Sequence, residues 1–250
     1  MYPCAAVAFG DVVSSDVVGY DTTSLLSGGQ AKGVGASFLN VDDSSLTLGD
    51  LTVTGYDTTE GYADFEIQAQ QLTGGGQTLN GMTYYWADFE EDGETYKGWF
   101  DEDMNEYNDL SLATGEGLWM YSPSTSFKIQ SSGAVPKSSI SVGLRSGGQA
   151  KLVTNPMPAT LTLGQITVSG YNAGDGYADF EIQAQQLTGG GATLNGMTYY
   201  WADFEEEGET YYGWYDEDMN DYNDLEVPAG EGLWVYSPST DFSVVFPSPL

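Results

Sequence analysis

Along residues 63–70, apolar and polar positions alternate: Ala63, Phe65, Ile67 and Ala69 on one side, Asp64, Glu66, Gln68 and Gln70 on the other. A period of two is the mark of a strand with one face in a core and the other in water. In the next run Met82, Tyr84 and Trp86 share one face, while Tyr85, Ala87 and Phe89 share the other. That strand is expected either to be covered on both sides or to present aromatics outward, at the centre of a sheet. Gly74-Gly75-Gly76, Asn80-Gly81 and Asp92-Gly93 punctuate the runs at hairpin spacing, and no stretch shows apolar residues recurring at i, i+3, i+4. Short strands with frequent turns predict an all-β fold built from sandwich-like or barrel-like modules.

The whole pattern occurs twice. Residues 61–125 and 176–240 align without a gap at a spacing of 115, with 55 of 65 positions identical. Upstream, Ser27-Gly-Gly-Gln-Ala-Lys32 recurs as Ser146–Lys151 at a spacing of 119, so the first copy carries four more residues between Lys32 and Leu46. A surface loop absorbs such a change readily. The stretch 131–140, rich in small residues with a Pro and a Gly, reads as the boundary. The expected organisation is an apolar tail over 1–15, a first β module over 16–130, a linker over 131–140 and a second β module over 141–250.

Charge narrows the choice of partners. Asp and Glu number 37 against 6 Lys and Arg, a formal net charge of -31, which disfavours nucleic acid and anionic membrane surfaces. Hydrophobic residues are still 40% of the chain and aromatics 14%, enough for packed cores, so the acidity belongs to the surface of a folded protein. No run of about 18–20 apolar residues is present, and membrane insertion is not expected.

Catalytic chemistry finds little to work with. The chain has no His, which removes Ser-His-Asp and Cys-His arrangements and the commonest zinc ligand, and Cys4 is the single cysteine. Asp88, Glu90, Glu91, Asp92 and Glu94 offer paired carboxylates of the kind glycosidases use, but a run flanking Gly93 reads as an exposed acidic turn. Gly115-Glu116-Gly117 has no following Lys or helix and reads as a tight turn, not a phosphate loop. The chain is not expected to be an enzyme.

Two features point to binding. Asp101, Asp103, Asn105 and Asp109, repeated as Asp216, Asp218, Asn220 and Asp224, place oxygen donors at positions 1, 3, 5 and 9 of a calcium-type loop. Position 6 (Glu106, Asp221) and position 12 (Leu112, Val227) depart from that loop, and the competing reading is a solvated acidic hairpin turn. Calcium is the one cofactor these residues suggest. Trp86, Trp99 and Trp119, with Trp201, Trp214 and Trp234 in the second copy, together with Tyr84, Tyr85 and Tyr96, form either core or a sugar-stacking platform.

Ser14-Ser-Asp-Val-Val-Gly-Tyr20, Gly115-Glu-Gly-Leu-Trp119 and the Gly98-Trp99 hairpin resemble secreted tandem β-repeat proteins of environmental bacteria such as Verrucomicrobia. The resemblance implies export and a β-rich fold, and carries no activity, ligand or site. Ala6 and Ala8 make an A-x-A pattern like a signal cleavage site, without a basic region before it.

At the spacing of 119, Cys4–Phe9 correspond to Pro123–Lys128, the stretch leading into Phe127 and Ile129. Copy two is therefore expected to receive its preceding strand from its own chain, and copy one to lack one. On this reading Cys4, Ala5, Ala6, Val7, Ala8 and Phe9 add as a strand to copy two of a neighbouring subunit. The expected function is a structural subunit of an extracellular filament or cell-surface assembly, a head-to-tail homopolymer whose partner is itself. The alternative is a calcium-dependent carbohydrate-binding adhesin with glycans as partners.

Overall fold

The structure is a computed structural model and describes residues 18–26, 32–40, 43–56, 68–71, 83–123, 125–144, 151–171, 183–188, 192–193, 198–237 and 240–248. The apolar tail and residues 63–67 of the alternating run lie outside them. The described chain is all-β, with two three-residue 3-10 turns, Leu48–Asp50 and Leu163–Gln165.

The first copy holds β1 (Val18–Leu25), β2 (Lys32–Gly35), β3 (Leu46–Thr47), β4 (Thr52–Thr54), β5 (Gln68–Gln71), β6 (Thr83–Glu91), β7 (Glu94–Phe100), β8 (Ser111–Leu112), β9 (Gly117–Tyr121) and β10 (Phe127–Ala134). The second holds β11 (Ile140–Leu144), β12 (Lys151–Thr154), β13 (Leu161–Thr162), β14 (Thr167–Ser169), β15 (Gln183–Thr188), β16 (Ala192–Thr193), β17 (Tyr199–Glu206), β18 (Glu209–Tyr215), β19 (Glu226–Val227), β20 (Gly232–Tyr236) and β21 (Phe242–Phe246). Strand order repeats: β1-β10-β4, β2-β9-β5-β6-β7 and β3-β8 in the first copy, β11-β21-β14, β12-β20-β15-β17-β18 and β13-β19 in the second.

The two-faced strand β6 is internal, paired with β5 on one side and β7 on the other. Its turn to β7 has Asp92 at φ 52° and Gly93 at φ 86°, and the counterpart has Glu207 at 53° and Gly208 at 89°. Positive φ at both central residues gives the turn the twist that antiparallel strands need. Within each copy the three-stranded sheet shares one core with the larger sheet, which has five strands in the first copy and six, with β16 beside β15, in the second. In the first, Leu25, Val53, Phe127 and Ile129 meet Tyr84, Trp86, Trp99, Leu118 and Met120. In the second, Val142, Val168, Phe242 and Val244 meet Tyr199, Trp201, Trp214, Leu233 and Val235. Trp99, Trp201 and Trp214 are fully buried, and by area each contributes roughly 4–6 kcal/mol.

β10 runs through 131–134, which the sequence assigns to the linker, and bridges Leu39 at Ala134. The connection between copies is therefore 135–139. Nor does β10 serve the second copy: it lies between β1 and β4 of the first, as its counterpart β21 lies between β11 and β14. Copy two opens on its own β11, equivalent to β1. The tail is not the counterpart of a strand supplied by 123–128, because that stretch closes the copy in which it begins.

The copies touch through the outer faces of their larger sheets. Leu152 and Thr154 fill space left by Gly33, Gly35 and Gly117: a Cβ on Gly33 would stand 3.2 Å from a Leu152 methyl, and one on Gly117 2.7 Å from Leu152 Cγ. Thr154 N–H donates to Gly115 O at 2.9 Å, Glu116 bridges Val153, and Lys151, which is buried, pairs with Glu116. The contact is two-fold in kind. Gly33 and Gly35 face Leu152 and Thr154, their own equivalents 119 residues on, while Gly115 approaches Ile140 and Val142 as Gly230 approaches Asp21 and Thr23. An isologous contact closes on itself and supplies no repeating joint between chains.

Candidate functional site

Each Asp-rich turn is organised around its first carboxylate. Asp101 Oδ1 accepts from Asp103 N at 3.0 Å, Asn105 N at 2.9 Å and Asn105 Nδ2 at 3.2 Å, and Oδ2 accepts from Asn105 Nδ2 at 3.0 Å. Asp216 repeats the set with Asp218 and Asn220. Met104 and Met219 take up the left-handed backbone that the tight loop demands, at φ 64° and 62°. The structure thus joins Asp101 to Asn105, but does not gather Asp103 and Asp109 around them. Among the described residues no group of three or more His, Cys, Asp or Glu is placed to hold a metal ion. N–H donors of the loop converge on the Asp101 carboxylate.

Those bonds hold both carboxyls below the usual aspartate range, the Asn105 and Asn220 side chains contributing most. A depressed folded value means that the turn's stabilisation is complete above the ordinary carboxylate range, near pH 4. It is lost as pH falls through the lower folded values. Acid titration followed by near-ultraviolet circular dichroism should show this step in the wild type and a weaker one in Asp101→Asn/Asp216→Asn; identical curves would deny the turns that role.

The next loop residue anchors the hairpin edge. Asn108 Oδ1 accepts the Trp99 N–H at 2.9 Å, as Asn223 accepts that of Trp214 at 2.9 Å. Both amides sit over Gly98 and Gly213, at φ 139° and 128°, where a Cβ would overlap them. Asn108→Ala leaves a buried N–H unpaired and should cost about 1–2 kcal/mol in urea unfolding.

Most of the predicted aromatic platform is core: Tyr84, Trp99, Trp201 and Trp214 are buried, and Trp119, Trp234, Tyr85 and Tyr96 are half-buried. Trp86, also buried, lines a cleft of about 630 Å³ in the first copy together with Gly49, Leu51–Gly55, Tyr56, Lys97, Gly98 and Asn108. One wall is β4, the last strand of its sheet, and the other is β7, the last strand of the other sheet. β4 pairs with no further strand on its cleft side among the described residues, whereas the β7 edge is closed at Trp99 and Phe100 by residues 105–108. At its rim Asp88 accepts from the Tyr56 hydroxyl and pairs with Lys97 Nζ at 3.2 Å. Burial, then the Asp88 hydrogen bond, push the Tyr56 phenol upward. Glu90, Glu91, Asp92 and Glu94 stay exposed around the turn.

Sequence reasoning missed this site because its walls, 49–56, carry no motif. The available signal was the difference between copies: of the eleven lining residues eight recur at the spacing of 115, and Lys97 is replaced by Tyr212. No protein-family model matches the chain, and no curated protein matches it.

Proposed function

We propose that the chain is a non-enzymatic structural subunit of an extracellular or cell-surface assembly, each copy a β-sandwich, the first of which accepts an extended strand from a neighbouring molecule. The observation that carries the reading is the cleft beside β4, whose second edge pairs with no strand among the described residues. Strand addition needs backbone donors and acceptors along an edge and an apolar floor for alternate side chains, and β4 with Trp86 and Leu51 supplies that combination. The donor is the segment 1–10, which has no charged side chain and holds the small residues Ala5, Ala6 and Ala8. The acceptor is the first copy, in place of the second copy that the repeat alignment favours. A donor and an acceptor at different places make a heterologous joint, which gives open filaments.

Deleting residues 1–10 should abolish polymers in negative-stain images and light scattering while leaving the far-ultraviolet spectrum unchanged. Filaments persisting in the shortened chain would defeat the proposal. A second reading, a carbohydrate-binding adhesin, is favoured by Trp86 lying below the hydrogen-bonding rim of Asp88, Tyr56 and Lys97. Calorimetry with neutral oligosaccharides, giving heat that disappears in Lys97→Ala, would select it.

A further inference from the structure

The two copies keep nearly the same cleft lining but not the same opening. At the position of Lys97 the second copy has Tyr212, whose ring meets Trp201 edge-on with centroids 5.0 Å apart and planes at 73°. Lys97 instead pairs with Asp88 at 3.2 Å and places no ring on its tryptophan. Trp86 is accordingly 6% exposed and Trp201 0%. The neighbouring geometry is shared: Tyr171 donates to Asp203 as Tyr56 does to Asp88, and Trp201 packs on Trp214 at 5.4 Å as Trp86 packs on Trp99 at 5.5 Å. The other changes in the lining, Leu51 to Ile166 and Thr54 to Ser169, are small. The largest change in the lining is therefore a tyrosine ring set against Trp201 where a lysine stands beside Trp86.

We propose that Tyr212 is an internal plug, so that each chain has a single strand-accepting site, in the first copy, occupied by residues 1–10 of another chain. The inference rests on the strand-addition reading and deepens it. With two acceptors per donor a polymer could branch at every subunit. With one, it is linear. Charge fits the chosen occupant: a chain of net charge -31 repels acidic segments, whereas 1–10 carries no acidic residue and Lys97 stands at the mouth.

Amide hydrogen exchange on the full chain, dilute and with excess synthetic peptide of residues 1–10, reads the two edges separately. Exchange at Thr52–Thr54 should slow at least about tenfold while Thr167–Ser169 is unchanged. Tyr212→Lys should extend the slowing to Thr167–Ser169, and Lys97→Tyr should abolish it at Thr52–Thr54. Each variant carries the residue that the other copy already accommodates at that place. Equal slowing at both edges in the wild type would overturn the plug and leave strand addition standing; no slowing at either would overturn both. Slowing produced by a neutral oligosaccharide and not by the peptide would also overturn the proposal, making the cleft a sugar site.

Discussion

Gly35→Thr should destabilise the chain by about 1–3 kcal/mol, and adding Thr154→Gly should recover much of that loss. Residue 35 has no Cβ because Thr154, fully buried, occupies the space: a Cβ there would overlap Thr154 Oγ1 and Cβ and stand 2.9 Å from Cγ2. Overpacking a closed contact forces side chains off their rotamers or the sheets apart. Since residues 35 and 154 are equivalent across the two-fold contact, exchanging knob and hole preserves the total volume. Thr154→Gly alone loses buried area and a 3.4 Å hydrogen bond to Glu116 O. Coupling of roughly 1–3 kcal/mol in a double-mutant cycle, read by urea unfolding with tryptophan fluorescence, is the expected result. Strictly additive effects would mean that the copies do not meet there.

Trp214→Phe should cost about 1–3 kcal/mol more than Trp99→Phe, although the two tryptophans are equivalent and equally buried. Trp214 Nε1 donates to Ile166 O at 2.7 Å. Trp99 Nε1 is buried without a hydrogen-bond partner. Phenylalanine removes a satisfied donor in the second copy and strands a carbonyl; in the first it removes a donor that already carries a desolvation penalty. The lost ring area is the same in both, so the difference isolates the hydrogen bond. Equal losses, measured as midpoint shifts in urea, would contradict the asymmetry. Tyr84, whose buried hydroxyl also lacks a partner, has its phenol pushed up to about 12, mainly by burial. Its neutral form is favoured by folding, and that contribution should fade as pH rises from about 10 towards 12.

The all-β class was legible because alternation survives wherever one strand face is wet. β6 was recognisable from aromatics on both faces, and its turn from Asp92-Gly93. The acidic turns were located correctly, but spacing alone could not show which loop donors converge on which carboxylate. Asp101 shows why: in sequence it is position 1 of a calcium loop, and in space it accepts bonds from its own loop. The cleft was hidden for a different reason. Its walls belong to two strands distant in sequence, and their meeting is a property of topology rather than of composition. Gly117 likewise read as a turn residue, although it, Gly33 and Gly35 leave space that Leu152 and Thr154 fill. Comparing the copies would have revealed this for Gly33 and Gly35, which stand against Leu152 and Thr154 in the other copy.

A residue on a two-fold axis of a homodimer confronts its own twin, and any change to it happens on both sides at once. Leucine against leucine at 33 and 152 would be too much, and glycine against glycine would leave a void. A single chain holding both partners is freed from that constraint, because the facing positions are separate codons that can move in opposite directions. The leucine that rests on a glycine is a solution open only where both halves lie in one chain. It also makes each half dependent on the other: either one, cut free and paired with itself, would face a clash or a hole.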